Sequence, residues 1–284
     1  MKVSRVLKLA LPCAVGLALI FASVGIAAET ASEESSAVVI QTERGLIDWS
    51  RNYIESKGTA VAPTDSSGAQ ARALARRGAI VDMQRNLLEF LVGVHVDART
   101  VMDDFMASDG VRSEVHGMIR NIELLEGQWD GEAYTMTGRL KLPELLVCVT
   151  PEITARAPQA AAPGTTQTGA PSTSGRFTGL VIDGRHLPIV PSLNFYVTDE
   201  SGREVYGISF ADPKFAATSG LATYFTNLEY ARGELRVATN PIVTRAARLS
   251  SDGIGIVIPN SAAARVRGSS YDFRKECKVI IVVK

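Results

Sequence analysis

Residues 69–94 read AQARALARRGAIVDMQRNLLEFLVGV. At about 100° per residue, Leu74, Ile80, Val81, Leu87, Leu88, Leu91 and Val92 share one side, and Asp82, Arg85, Asn86 and Glu89 the other. This period predicts one long amphipathic helix. A helix that is apolar along one side needs a sheet or a second helix to cover it. Asp82, Arg85 and Glu89 lie three and four residues apart on the polar side, a spacing that lets ion pairs form across helical turns. Ser66 or Ser67 is the expected cap and Gly93 the expected stop.

On either side of this helix the pattern changes to strand. Ile47 and Trp49 alternate with polar neighbours, Arg51-Asn52 turns the chain, and Tyr53 to Val61 continues as a second strand. Val94 to Asp97 reads as extended. Ser108 or Asp109 opens a shorter helix with Val111, Val115 and Met118 or Ile119 on one face. Ile119 to Trp129 and Tyr134 to Leu142 then read as a hairpin around Asp130-Gly131. Tyr134, Met136, Gly138 and Leu140 form its inward set, and Leu145 to Val149 reads as a last strand. The expected fold class of residues 43–150 is α+β, with a long and a short helix on one face of an antiparallel sheet.

Residues 151–175 contain little but Ala, Pro, Thr, Gly, Ser and Gln, a composition that cannot bury a core and reads as a linker. Residues 176–284 read as a second, mostly-β domain. Strands are expected at Thr178–Ile182, Leu193–Thr198, Glu204–Ile208, Leu235–Ala238, Ile242–Leu249 and Ile254–Ile258, with a short helix opened by Asn260. Cys277 to Val283 is nearly all apolar, which suggests a central place in a sheet.

At the other end of the chain, Lys2, Arg5 and Lys8 precede an apolar run from Leu9 to Ile26, and Ala27-Ala28 follow. That is the order of a secretory signal peptide over residues 1–28, with cleavage before Glu29. An uncleaved anchor helix is the competing reading; Pro12 and the small residues favour cleavage. Residues 29–42 read as a disordered acidic leader. The whole chain balances 30 Lys and Arg against 30 Asp and Glu. Without the basic leader a mild acidic excess remains, which points away from nucleic acid as a partner.

Two cysteines lie beyond the leader, Cys148 and Cys277. They could bridge the halves in an oxidising compartment. Their apolar surroundings, LLVCV and CKVIIVV, favour two buried thiols instead. His95, His116 and His186 have no acid or cysteine at ligand spacing, so no metal site is expected. No serine elbow and no phosphate-binding glycine loop occurs. Catalytic residues and cofactors are therefore expected to be none, and the protein is read as not an enzyme.

The residues with the most to offer a partner are Arg72, Arg76 and Arg77 at the start of the long helix, and Asp82, Arg85 and Glu89 further along it. Each has an ordinary reading as a solvated helix face with long stems over the core rim. Asp183 and Arg185, in the turn Asp183-Gly184-Arg185-His186, could recognise a carboxylate or phosphate, since arginine suits such groups. An ordinary β-turn is the competing reading.

The segment ARALARRGAIVDMQRNLLEFLVGVHVDARTVMDDF, with VRSEVHGMIRN and YTMTGRLKL after it, resembles a bacterial surface-lipoprotein family that includes the flagellar protein FlgP and, more distantly, the N-terminal domain of FlgT. The likeness spans about residues 43–145 and rests on the Asp82, Arg85, Leu88, Glu89 helix pattern and the short helix before the strand pair. It implies an envelope protein that assembles or attaches structures near the outer membrane. The lipid-bearing cysteine of that family has no counterpart after the leader. The functional expectation is a non-enzymatic exported protein of the periplasm or outer-membrane periphery, structural or assembly in role and flagellar by resemblance. Its partners would be envelope or flagellar proteins or further copies of itself. The alternative is a periplasmic binding module for an envelope polymer or small ligand.

Overall fold

The computed structural model describes residues 36–156 and 175–284. The stretch read as a signal peptide, most of that read as a leader and most of that read as a linker lie outside these residues. The chain is α+β, with helices gathered on the N-terminal sheet and a β-rich C-terminal region.

The N-terminal sheet is built from β1 (Val39–Gln41), β2 (Gly45–Asp48), β3 (Tyr53–Val61), β4 (Glu123–Leu124), β5 (Gln128–Trp129) and β6 (Ala133–Lys141). Its order is β1-β2-β3-β6-β4, with β5 also on β6, and every pairing is antiparallel. β1 falls inside the stretch read as a disordered leader; the pairing of Ile40 with Ile47 gives it a place at the sheet edge.

Helix α1 (Gly68–Leu91) crosses β3 and β6. Its buried stripe is Ala71, Ala75, Ala79, Met83, Leu87 and Leu91, a strict spacing of four. Leu74 and Val81, read from the period as core, are 37% and 65% exposed. The physical reason is closeness. A Cβ on Gly58 would stand 2.6 Å from Met83 Cα, and one on Gly138 2.6 Å from Met83 Sδ. The inward stripe is small at the start of the helix (Ala71, Ala75, Ala79) and large from Met83 to Leu91, and Gly58 and Gly138 on the sheet make the room for it. Ser67 holds the cap position but makes no side-chain cap bond.

Helices α2 (Met102–Met106) and α3 (Asp109–Arg120) follow; α3 buries Val111, Val115 and Ile119. Residues 119 and 120, read as the start of a strand, are its last turn. Helix α4 (Leu142–Arg156) replaces the strand expected at Leu145–Val149 and carries the chain through Pro151 into the stretch read as linker. Leu142, Leu145, Leu146 and Val149 are all buried, a spacing of three and four that is helical rather than alternating.

The C-terminal region holds two sheets. The first has the order β10-β14-β7-β11, from Thr223–Phe225, Val279–Val282, Gly179–Asp183 and Pro241–Arg245, all parallel. Strands β7 and β14 are almost wholly buried, as parallel strands covered on both faces should be. The second has the order β12-β13-β8-β9, from Arg248–Leu249, Gly255–Ile258, Tyr196–Asp199 and Glu204–Tyr206. Helices α5 (Pro213–Ser219), α6 (Leu228–Gly233) and α7 (Asn260–Arg267) complete it. The strand expected at Leu235–Ala238 is a turn, with Leu235 89% exposed.

Residues 37–284 form one compact unit. Its largest core cluster draws on both regions. Trp49 stacks edge-on to Tyr224 at 5.8 Å, and Tyr224 N donates to Trp49 O at 3.1 Å. Leu193 N and Asn194 N donate to His95 O and Val96 O at 3.1 and 2.7 Å. Asn52, at φ 56°, sends Nδ2 to Ser219 O at 2.8 Å and Ala222 O at 3.0 Å.

Candidate functional site

The carboxyl ends of parallel strands are where open α/β sheets place their ligands. Here those ends collect charge. β7 finishes at Asp183, and the register sets Arg245 at the end of β11 directly beside it, with Val282 of β14 on the other side. Gly184 follows, close to both Val282 O and Ile189: an added Cβ would stand 3.3 Å from the carbonyl and closer still to Ile189 Cδ1, which would have to swing aside. Gly184 N donates to Val282 O at 2.8 Å, Leu187 N donates to Gly184 O at 2.8 Å, and Ala246 N donates to Asp183 O at 2.9 Å. These bonds fix the turn that carries Arg185 and His186.

Arg185 grips the Asp183 carboxylate through Nε at 2.9 Å and Nη2 at 2.8 Å. These bonds hold the Asp183 carboxyl below its usual range against the opposing effect of burial; the charge of Arg245 adds to the same direction. Arg245 turns elsewhere: its Nε donates to His186 Nδ1 at 3.3 Å. A guanidinium can only donate, so Nδ1 is the acceptor in this bond.

A contrasting cluster ends β8. Asp199 is buried and receives Arg203 Nε at 3.1 Å, Arg267 Nη2 at 2.9 Å and the backbone N–H groups of Ser201 and Arg203. Burial pushes its carboxyl up, but these bonds and the two arginine charges outweigh it and leave it lowered. Both cations in this second cluster end on the carboxylate. A third polar knot lies deep inside. Arg236 donates to Cys277 O, Ser219 O and Gly220 O at 2.9, 2.8 and 2.7 Å.

The residues singled out from the helix divide into two groups. Arg72, Arg76 and Arg77 are exposed. Glu89 joins Arg85, at 3.2 Å, and Arg44. Asp82 takes no part in that network, contrary to expectation. It accepts from Thr59 N at 2.9 Å, while Asn86 Nδ2 donates to Lys57 O at 2.9 Å. The two side chains satisfy the part of the β3 edge that β2 does not reach.

An open groove of about 460 Å³ lies between the end of α3 and β6. Glu123, Arg139, Lys141 and Glu144 line it. Arg139 is held there by Glu55, at 2.8 Å from Nε, and lies 4.4 Å over the Tyr53 ring. Cys148 and Cys277 are free and buried. Among the described residues no group of three or more His, Cys, Asp or Glu could hold a metal ion, and no helix is long and apolar enough to cross a membrane.

Arg245 escaped the sequence reading because it stands 60 positions from Arg185 and meets that turn only through strand pairing. Its one local signal is a lone cation closing the apolar run Pro241–Val243. Arg236 and Arg267 gave no signal, since their partners, Cys277 O and Asp199, lie far from them in sequence.

Comparison with known proteins places one part of the chain. Residues 179–284, from the first residue of β7 to Lys284, match a family model described as Treponema pallidum Tp0624, second domain. No curated protein matches the chain. What the C-terminal region is similar to is therefore that second domain.

Proposed function

We propose that this is a non-enzymatic exported protein of the bacterial cell envelope that works by docking onto other macromolecules, in a structural or assembly role. The observation that carries this reading is the outward face of α1. Arg72, Arg76 and Arg77 stand exposed, Arg77 within one helical turn of the exposed Leu74 and Val81, on a helix seated closely on its sheet. Arginine beside aliphatic side chains on a rigid element suits a protein interface. The signal-like first 28 residues support export, and the resemblance to the surface-lipoprotein family supports an envelope address with flagellar or other envelope proteins as partners. No cofactor enters the reading.

Envelope fractionation tests it. The wild type should travel with the envelope, and the triple variant R72E/R76E/R77E should be released in soluble form with an unchanged melting temperature. A variant that fractionates like the wild type would reject the α1 face as the docking surface. Recovery of the protein from the cytoplasm with its leader intact would reject the whole reading.

A further inference from the structure

We propose that the carboxyl end of the parallel sheet is an anion-binding site, in which Arg245 makes the main contact with a carboxylate or phosphate group. The comparison of the two aspartate clusters carries the inference. Asp199 sits at the end of β8 with Arg203 and Arg267, and both arginines terminate on its oxygens. Asp183 sits at the end of β7 with Arg185 and Arg245, and only Arg185 terminates on it. Arg245 makes no ion pair among the described residues, and its Nε donates to His186 Nδ1.

This arrangement holds the guanidinium in place without neutralising it. His186 Nδ1 accepts the hydrogen bond from Nε, which leaves the two Nη groups for a planar or tetrahedral oxyanion. Asp183 accepts from Arg185 on both its oxygens, and neither Nη of Arg245 bonds to it among the described residues. The location is the one the parallel topology favours for ligands. The site is open to solvent, so it suits a group displayed on a larger molecule, such as a uronic acid or a phosphorylated glycan, whose remainder lies along the surface.

The proposal stands apart from the docking role of α1, which uses the other sheet. Isothermal titration of the full-length protein, at fixed ionic strength, with inorganic pyrophosphate in one arm and trigalacturonate in the other separates phosphate from carboxylate chemistry. Saturable binding is expected in at least one arm. Arg245→Gln should weaken it about ten-fold or more, since a charge-assisted bond is lost. Arg99→Gln, an exposed arginine of the other region, should leave it unchanged. His186→Ala should weaken binding by a smaller factor, because it removes the anchor and keeps the charge. Melting temperatures of all three variants serve as the folding control. Absence of saturable binding in both arms up to about 10 mM, or equal affinity in Arg245→Gln and wild type, would overturn the proposal. Neither result would bear on envelope fractionation.

Discussion

Replacing Gly58 by alanine asks how close α1 truly lies to the sheet. The added carbon would stand 2.6 Å from Met83 Cα and closer still to Met83 N and Ala79 O. Carbon atoms in ordinary contact need about 3.5 Å. All three obstructing atoms are helix backbone, so no rotamer change clears them and the helix must lift by roughly 1 Å. A gap of that size forfeits about a quarter to a half of each dispersion contact. The loss falls on a stripe of six buried residues. The expected cost is about 2–4 kcal/mol. Gly138→Ala provides the internal comparison. Its new carbon would meet Met83 Sδ and Cε at 2.6 and 2.8 Å and Ile122 Cδ1 at 2.9 Å. Those are side-chain ends that can swing aside, at about 1 kcal/mol. Urea unfolding read from the fluorescence of Trp49 and Trp129 should rank the two variants in that order with similar m-values. A Gly58→Ala protein within about 0.5 kcal/mol of wild type, or less affected than Gly138→Ala, would refute the close-packing account.

Other consequences can be measured alongside. Asn52→Ala loses the bonds to Ser219 O and Ala222 O and keeps a β-carbon at φ 56°; it should cost about 2–4 kcal/mol, and Asn52→Gly about 1 kcal/mol less. Equal stabilities of the two variants would remove backbone strain from the account. Arg236→Lys cannot reach three carbonyls with one ammonium, so chemical unfolding should register a loss of about 2–4 kcal/mol; a change under about 0.5 kcal/mol would mean the guanidinium is not needed. Burial pushes the Cys148 thiol up to about 12, with the Glu114 bond and charge adding to it, and burial raises Cys277 as well. Unfolded thiols ionise near ~8.5. The native state thus keeps protons that the unfolded state loses, so this stability is complete below pH ~8.5 and declines as pH climbs toward 12. Melting temperature should fall between about pH 8.5 and 10, less steeply in Cys148→Ala, and Ellman's reagent should label neither thiol in the native protein. Prompt labelling at pH 8 would contradict the burial of both.

How much of this could be read from the chain depends on the range of the interaction. The strand pair around Arg51-Asn52 was legible, since alternation and turn residues are local signals. So was the inward set Tyr134, Met136, Gly138 and Leu140, which the structure buries. The helix was legible as a helix, but not its orientation. Periodicity ranks positions by side-chain hydrophobicity and found Leu87 and Leu91, whereas the approach of Gly58 and Gly138 turns the row from Ala71 to Leu91 inward and leaves Leu74 and Val81 outside. The stretch Leu145–Val149 misled because a short apolar run carries no distinct period until Leu142 and the residues after it are included. In the candidate site, Asp183 and Arg185 were visible as a turn. Arg245 was not, since parallel pairing joins strands that are far apart in the chain.

The junction at Trp49, Asn52 and Tyr224 has a bearing on how this protein should be compared with others. Similarity to the Treponema domain begins at Gly179, yet the interior that begins there is finished by side chains from Ile47 to Leu146. A relative that carries the shared segment next to a different neighbour must seal the same apolar wall with other residues. The unit that inheritance copies and the unit that melts would then have different borders in this chain, and heat capacity traces would report a single event where a family map draws a seam.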